Sequence, residues 1–220
     1  MRNRYDMQLH LLDTQLTHMG ELCETAIAKV TQALKEGNTE QAKIVIKEDE
    51  EIDQIEKDIE RLCLKLLLQQ QPVARDLRRI SAALKMITDM ERIGDQAADI
   101  SEITRRIAPQ PYIKKLEHIP MMGEATIKMV KESIDAFVNR DQQLAESVIA
   151  YDDVVDQWFD KIKSELVTQI ATNKEGSEEL LDVFMVAKYL ERIGDHATNL
   201  AEWVEYALTG VRSKDGRWID

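Results

Sequence analysis

The pentapeptide Glu91-Arg92-Ile93-Gly94-Asp95 recurs, residue for residue, as Glu191-Arg192-Ile193-Gly194-Asp195, so the chain must house the same stretch twice in equivalent surroundings. In each copy two carboxylates stand four residues apart. On a helix that spacing puts them on one face, with β-carbons about 6 Å apart, where they repel. Each copy also carries a glycine, yet the apolar rhythm runs past it through Ile93, Ala97, Ile100, Thr104 and Ile107, and through Ile193, Ala197, Leu200, Val204 and Leu208. A glycine inside a helix costs roughly 1 kcal/mol relative to alanine. Two locally unfavourable choices, made twice, imply a ligand or a close neighbour that offsets them.

The repeat extends beyond the pentapeptide. Met19-Gly20-Glu21 returns as Met122-Gly123-Glu124, and Val45, Ile46, Asp49, Asp53, Gln54 and Ile59 return as Val148, Ile149, Asp152, Asp156, Gln157 and Ile162, all at an offset of 103. The pentapeptide has an offset of 100, so the second copy is three residues shorter, in the stretch from Asn173 to Ser177. Apolar spacing and turn signals predict a first helix over 5–35 and a second over 39–70, separated by Gly37-Asn38-Thr39, and a third over 73–108 after Pro72. Pro109-Gln110-Pro111 marks the linker, which gives two units, 1–108 and 109–220. Asp141 and Ser177 are placed to cap the fifth and sixth helices. The expected fold is all-α, with six long helices forming two tandem three-helix bundles.

Composition agrees with helix and narrows function. Aromatic residues make up 5% of the chain and 44% is apolar, with eight glycines and four prolines. The net charge of -12 works against binding nucleic acid or an anionic membrane and favours cations as guests. The segment Met1 to Asp6 has no apolar run behind its charges, and Leu62 to Leu68 is too short to span a bilayer, so neither a signal peptide nor membrane insertion is expected. Cys23 and Cys63 read as buried free thiols. Walker, dinucleotide, GxSxG and HExxH motifs do not occur, so no catalytic or cofactor-binding residue is assigned.

With 41 acids in 220 residues, composition alone yields about seven acidic pairs at i, i+4. The informative feature is two such pairs per repeat: Asp49 with Asp53 and Glu91 with Asp95, then Asp152 with Asp156 and Glu191 with Asp195. The midpoint between residues 51 and 93 is Pro72, the turn of a helical hairpin, so the first two pairs lie level, roughly 31 Å from that turn on adjacent antiparallel helices. In the second repeat the midpoint again falls in the turn, between Asn173 and Lys174. Four converging carboxylates raise one another's pKa and call for a cation. An all-oxygen donor set suits magnesium, manganese, calcium or ferric iron, with zinc also open. Asp99, opposite Asn199 in the repeat, offers a further oxygen ligand.

Two other readings remain open at this point. Clustered carboxylates holding two ions also activate water, which would make the chain a metal-dependent phosphoester hydrolase. Alternatively, the acids pair with Arg92, Arg192, Arg61, Lys65 or Lys161 on the surface of a metal-independent helical scaffold. A ferritin-like di-iron site is unsupported, because none of His10, His18, His118 and His196 follows a glutamate by three residues. His196, beside Asp195, is placed to act as an outer-shell group. Arg75, Arg78 and Arg79 open the third helix where the sixth has Glu178, Glu179 and Asp182, a contrast that reads as an ordinary charged helix end or as a docking surface for a protein partner.

Taken together, Asp-x-x-x-Asp on each middle helix, Glu-Arg-Ile-Gly-Asp on each third helix and the stretch Gln70-Gln71-Pro72-Val73-Ala74-Arg75-Asp76-Leu77-Arg78 resemble the PhoU family over essentially the whole chain. The resemblance implies two pseudo-twofold-related bundles in a cytoplasmic, often dimeric, non-enzymatic protein that restrains phosphate uptake and the phosphate-starvation response. It implies two partners, the ATPase subunit of a phosphate ABC transporter and a sensor histidine kinase. It also implies metal binding, by iron, zinc, manganese or magnesium, at Asp49, Asp53, Glu91, Asp95, Asp152, Asp156, Glu191 and Asp195.

Overall fold

A computed structural model describes residues 2–69, 72–107, 118–172 and 177–212. These residues form six helices: α1 (Arg2–Glu36), α2 (Thr39–Gln69), α3 (Ala74–Ile107), α4 (His118–Asn139), α5 (Gln142–Thr172) and α6 (Ser177–Thr209). Both the boundary between Ala108 and Pro109 and the shortened loop at 173–176 lie outside the described residues. Pro120 lies within α4. It occupies the first turn, where its missing N–H is not needed.

The first hairpin turns on a residue that can take positive φ. Gly37 has φ 73°, and Asn38 N–H donates to Ala33 O at 2.8 Å while Gly37 N–H donates to Leu34 O at 3.3 Å, the two bonds of a Schellman ending. Asn38 Oδ1 then accepts from Gln41 N–H at 3.0 Å and caps α2. The second repeat reproduces this at the same offset. Asp141 N–H donates to Ala136 O at 2.9 Å, and Asp141 Oδ1 caps α5 by accepting from Leu144 N–H at 3.0 Å. The left-handed position is filled there by Arg140, at φ 58°, a conformation that costs a side-chain-bearing residue roughly 1–2 kcal/mol.

Within each bundle the three helices pack on one another; between bundles α3 lies on α6 and α1 on α4, and the α3–α6 contact is the most extensive. The buried side chains form one continuous apolar cluster through both bundles. The relation between the bundles is a pseudo-twofold, legible in pairs that exchange repeat-equivalent residues. Asp89 of α3 accepts from Asn199 of α6, and Tyr189 of α6 hydrogen-bonds Asp99 of α3. The centre of that exchange falls at Gly94 and Gly194. Similarly, Gly20 of α1 abuts Ile134 of α4, and Gly123 of α4 abuts Thr31 of α1. The repeated Met-Gly-Glu motif is therefore a helix crossing, with glycine letting α1 and α4 approach. No helix among the described residues is long and apolar enough to cross a membrane.

A β-carbon at position 123 lies 2.7 Å from Thr31 Oγ1, and that hydroxyl is anchored by its bond to Ile27 O at 2.7 Å. Gly123→Ala is expected to lose about 1–2 kcal/mol through overpacking despite the helix-propensity gain of about 1 kcal/mol. In a Thr31→Ala background the same substitution becomes neutral or stabilising. Urea unfolding of the four proteins in a double-mutant cycle checks this; additive effects would mean that the crossing is loose.

Candidate functional site

In the first bundle Asp49 lies directly against the backbone of α3. A β-carbon on Gly94 would stand 2.6 Å from Asp49 Oδ1 and 3.0 Å from Ile52 Cδ1, so any side chain there would push this carboxylate aside. The close neighbour implied by a glycine in mid-helix is thus the aspartate of the adjacent helix. Asp49 Oδ1 is buried and has no hydrogen-bond partner, which is a costly state for an acceptor. Burial, followed by the fields of Asp95, Asp53 and Glu91, pushes the Asp49 pKa up to about 6. Burial, then Asp95, raises that of Glu91 as well. Arg92 partly answers this repulsion, with Nη1 2.8 Å from Asp95 Oδ2 and Nε 3.4 Å from Glu91 Oε2.

The second bundle repeats the arrangement less tightly. A β-carbon on Gly194 would stand 3.3 Å from Asp152 Oδ1 and 3.1 Å from Val155 Cγ1. Burial, then Asp156 and Asp195, pushes the Asp152 pKa up to about 6. Asp156 and Asp195 are raised too, by burial first and then by Glu191. Lys188 pairs with Glu191. Asp152 and Asp195 line an open groove of about 740 Å³ together with Asp153, His196 and Gln96, the last reaching across from the first bundle.

The structure therefore brings together, in each bundle, the four acids that the hairpin register sets level. As the side chains stand, no three His, Cys, Asp or Glu groups among the described residues converge closely enough to hold a metal ion. The donor chemistry nevertheless fits one: an orphaned, buried carboxylate oxygen, a glycine cradle that leaves that carboxylate room, and mutual repulsion with too few cations to neutralise it.

Of the ion pairs expected on the surface, Arg92 alone serves the acid set directly; Arg61 pairs with Asp58, Lys161 lies 5.1 Å from the ring of Trp158, and Arg192 lies 5.8 Å from the ring of Tyr189. Lys188 was not anticipated, although its position three residues before Glu191 is a signal available in the sequence. His196 lines the same groove as Asp152 and Asp195 and also reaches the other bundle. Its Nδ1 lies 2.9 Å from Asp89 Oδ1 on α3. His118 pairs with Glu165 at 2.8 Å and stacks on Trp158. Cys23 and Cys63 are buried free thiols, Cys63 pushed up to about 12 by burial. Of the three arginines that open α3, only Arg75 is exposed; Arg79 is buried against Asp13, which removes it from any docking surface.

With this geometry in place, comparison with known proteins is specific. The family model described as the PhoU domain matches residues 16–104 and again 119–204. A phosphate-specific transport system accessory protein PhoU homolog from Clostridium acetobutylicum is 36% identical over 210 residues, covering 95% of this chain and 96% of that one. The crystal structure of PhoU from Pseudomonas aeruginosa superposes with a TM-score of 0.86 at 33% identity, covering 94% of this chain and all of that one. The phosphate transport system regulatory protein PhoU from Streptococcus pneumoniae gives the same TM-score at 26% identity, covering 94% and 98%.

The raised carboxylates carry a pH signature. Asp49 and Asp152 titrate near 6 in the folded state against 3.8 when exposed, so the folded chain binds more protons between those values, and stability falls as pH rises through that window. Chelator-treated protein is expected to melt at a higher temperature at pH 5 than at pH 7.5. Allowing for solvent screening at half-buried sites, each group contributes about 1 kcal/mol to the difference. Asp49→Asn with Asp152→Asn should flatten the slope; an unchanged slope would show that these carboxylates are not its source.

Proposed function

The chain belongs to the PhoU family, and we propose that it is an accessory regulator of a phosphate-specific transport system that restrains phosphate uptake and the phosphate-starvation response by binding rather than by turnover. The observation that carries this reading is kinship to such accessory proteins along both repeats, on a shared fold. In this reading the partners are the ATPase subunit of the transporter and a sensor histidine kinase, engaged in the cytoplasm by a homodimer.

The acidic clusters are the regulator's metal sites, with Asp49, Asp53, Glu91 and Asp95 serving one bundle and Asp152, Asp156, Glu191 and Asp195 the other. Iron, zinc, manganese or magnesium bound there supplies the positive charge that the carboxylates lack. Asp49 and Asp152, nearest the glycine backbones, fix the depth of each site. Neutralising the remaining acids of each set tightens the hairpin of α2 with α3 and of α5 with α6, which stiffens the surface offered to partners.

Elemental analysis of untagged protein, purified without chelators, is expected to give at least one metal per bundle, lost in Asp53→Asn with Asp156→Asn. In cells, deletion of the gene should switch on a phosphate-starvation reporter in high phosphate. The wild-type gene should silence it, and the double variant should do so incompletely. A deletion strain that still represses the reporter would overturn the regulatory role, whereas full metal content in the variant would overturn only the metal assignment.

A further inference from the structure

The two acid sets are copies in position but not in the cation that each keeps. In the first bundle the arginine of the pentapeptide, Arg92, bridges Glu91 and Asp95 from outside, with its side chain 54% exposed. In the second bundle the repeat-equivalent Arg192 lies 5.8 Å from the ring of Tyr189, and the cation paired with the acids is Lys188, one turn before Glu191 on α6. The first repeat has Thr88 at that position, an exposed residue whose hydroxyl donates to Leu84 O.

Lys188 is held on two sides. Its side chain is 36% exposed and that of Glu191 only 17%, and its ammonium lies 5.5 Å from the ring of Phe159 on α5, a face that attracts a cation. That ring in turn tilts against Phe184 of α6 at 5.7 Å. The carboxyls of Asp156 and Asp195 are raised by burial and then by Glu191, and the field of Lys188 works against that rise at both. One ammonium therefore answers three of the four acids. The first set has Arg92 in this role, farther into solvent, and it carries an extra acid, Asp99, where the second repeat has Asn199. Around Asp49, whose buried Oδ1 has no partner, burial acts with the fields of Asp95, Asp53, Glu91 and Asp99.

We propose that Lys188 is the resident counter-ion of the second acid set, so that the two sets are unequal cation sites and the first takes a divalent metal ion more tightly and fills before the second. This rests on the metal reading of the acids given above. In the first set five carboxylates await neutralisation, and the arginine that serves them stands at the exposed edge. Loading the second set means moving an ammonium that Glu191 and Phe159 hold, or keeping it beside a like charge at a Coulombic cost. A lysine suits this exchange, because its ammonium is a point charge on a flexible stem that withdraws without breaking a rigid fork of hydrogen bonds. At low metal the hairpin of α2 with α3 is then the one that tightens, while the hairpin of α5 with α6 keeps its lysine.

The test titrates manganese(II) into the chelator-stripped full chain and reads the free ion by its electron paramagnetic resonance signal. Asp156→Asn isolates the first set and Asp53→Asn the second. The first set is expected to bind at least about fivefold more tightly. Lys188→Met added to Asp53→Asn should tighten the second set by about five- to tenfold, Lys188→Arg should leave it unchanged, and Thr88→Lys added to Asp156→Asn should weaken the first by a similar factor. Without metal at pH 7.5, Lys188→Met should melt below the wild type and Thr88→Lys above it. Saturating manganese should narrow the Lys188→Met deficit, which a merely structural loss would leave in place. Equal affinities at the two sets, or an unchanged second set in Lys188→Met, would overturn the proposal. Absence of manganese from both sets would overturn the metal reading and the order of filling with it. The metal-free melting points decide the counter-ion role by themselves: a Lys188→Met midpoint at or above that of the wild type overturns it.

Discussion

Repulsion among carboxylates that the fold forces together is the constraint on which the rest of this structure turns. Asp49 is pressed against Gly94, and Asp152 stands close to Gly194, in a chain that already carries a net charge of -12. No helix would place acids there for its own stability. The glycines offset part of the strain by removing a β-carbon, and Arg92 and Lys188 offset part of the charge. What remains unbalanced is carried by one apolar cluster running through both bundles. That cluster makes the acid sites tolerable, and it also makes the two bundles a single mechanical body.

The same turn of helix serves the site and the seam. Asp89 with Asn199 and Tyr189 with Asp99 are repeat-equivalent pairs centred on the two glycines. The outward face of each pentapeptide therefore meets the acids of its own bundle, while the flanking residues meet the other bundle. His196 reaches Asp89 across that seam. Changes in charge at the acids act on the helical segment that fixes how the bundles sit, with no need for a long pathway between them.

Much of this was legible in the residues. The repeat gave six helices and a twofold relation, and counting residues from Pro72 set Asp49 and Asp53 level with Glu91 and Asp95 without any structure, because rise per residue is fixed. Rotation about the helix axis is not fixed by counting, so the contact of Asp49 with Gly94, and not with Ile93 or Ala97, needed the packed neighbour. The Met-Gly-Glu repeat was visible too, yet a glycine in a helical pattern does not say which helix approaches it; Thr31 and Ile134 lie on elements distant in sequence. Arg79 misled for a related reason. Beside Arg75 and Arg78 it reads as a surface charge, and only tertiary packing places it under Phe137 and against Asp13.

Departures from the duplication are more informative than its preservation. A duplicated chain drifts freely where nothing depends on the residue, and drift toward a less stable choice is removed unless it is compensated. Gly94 and Gly194 are kept together because each backbone meets an aspartate of the neighbouring helix. Gly37 and Arg140 have parted company in the unfavourable direction, since the left-handed turn is retained while the residue suited to it is not.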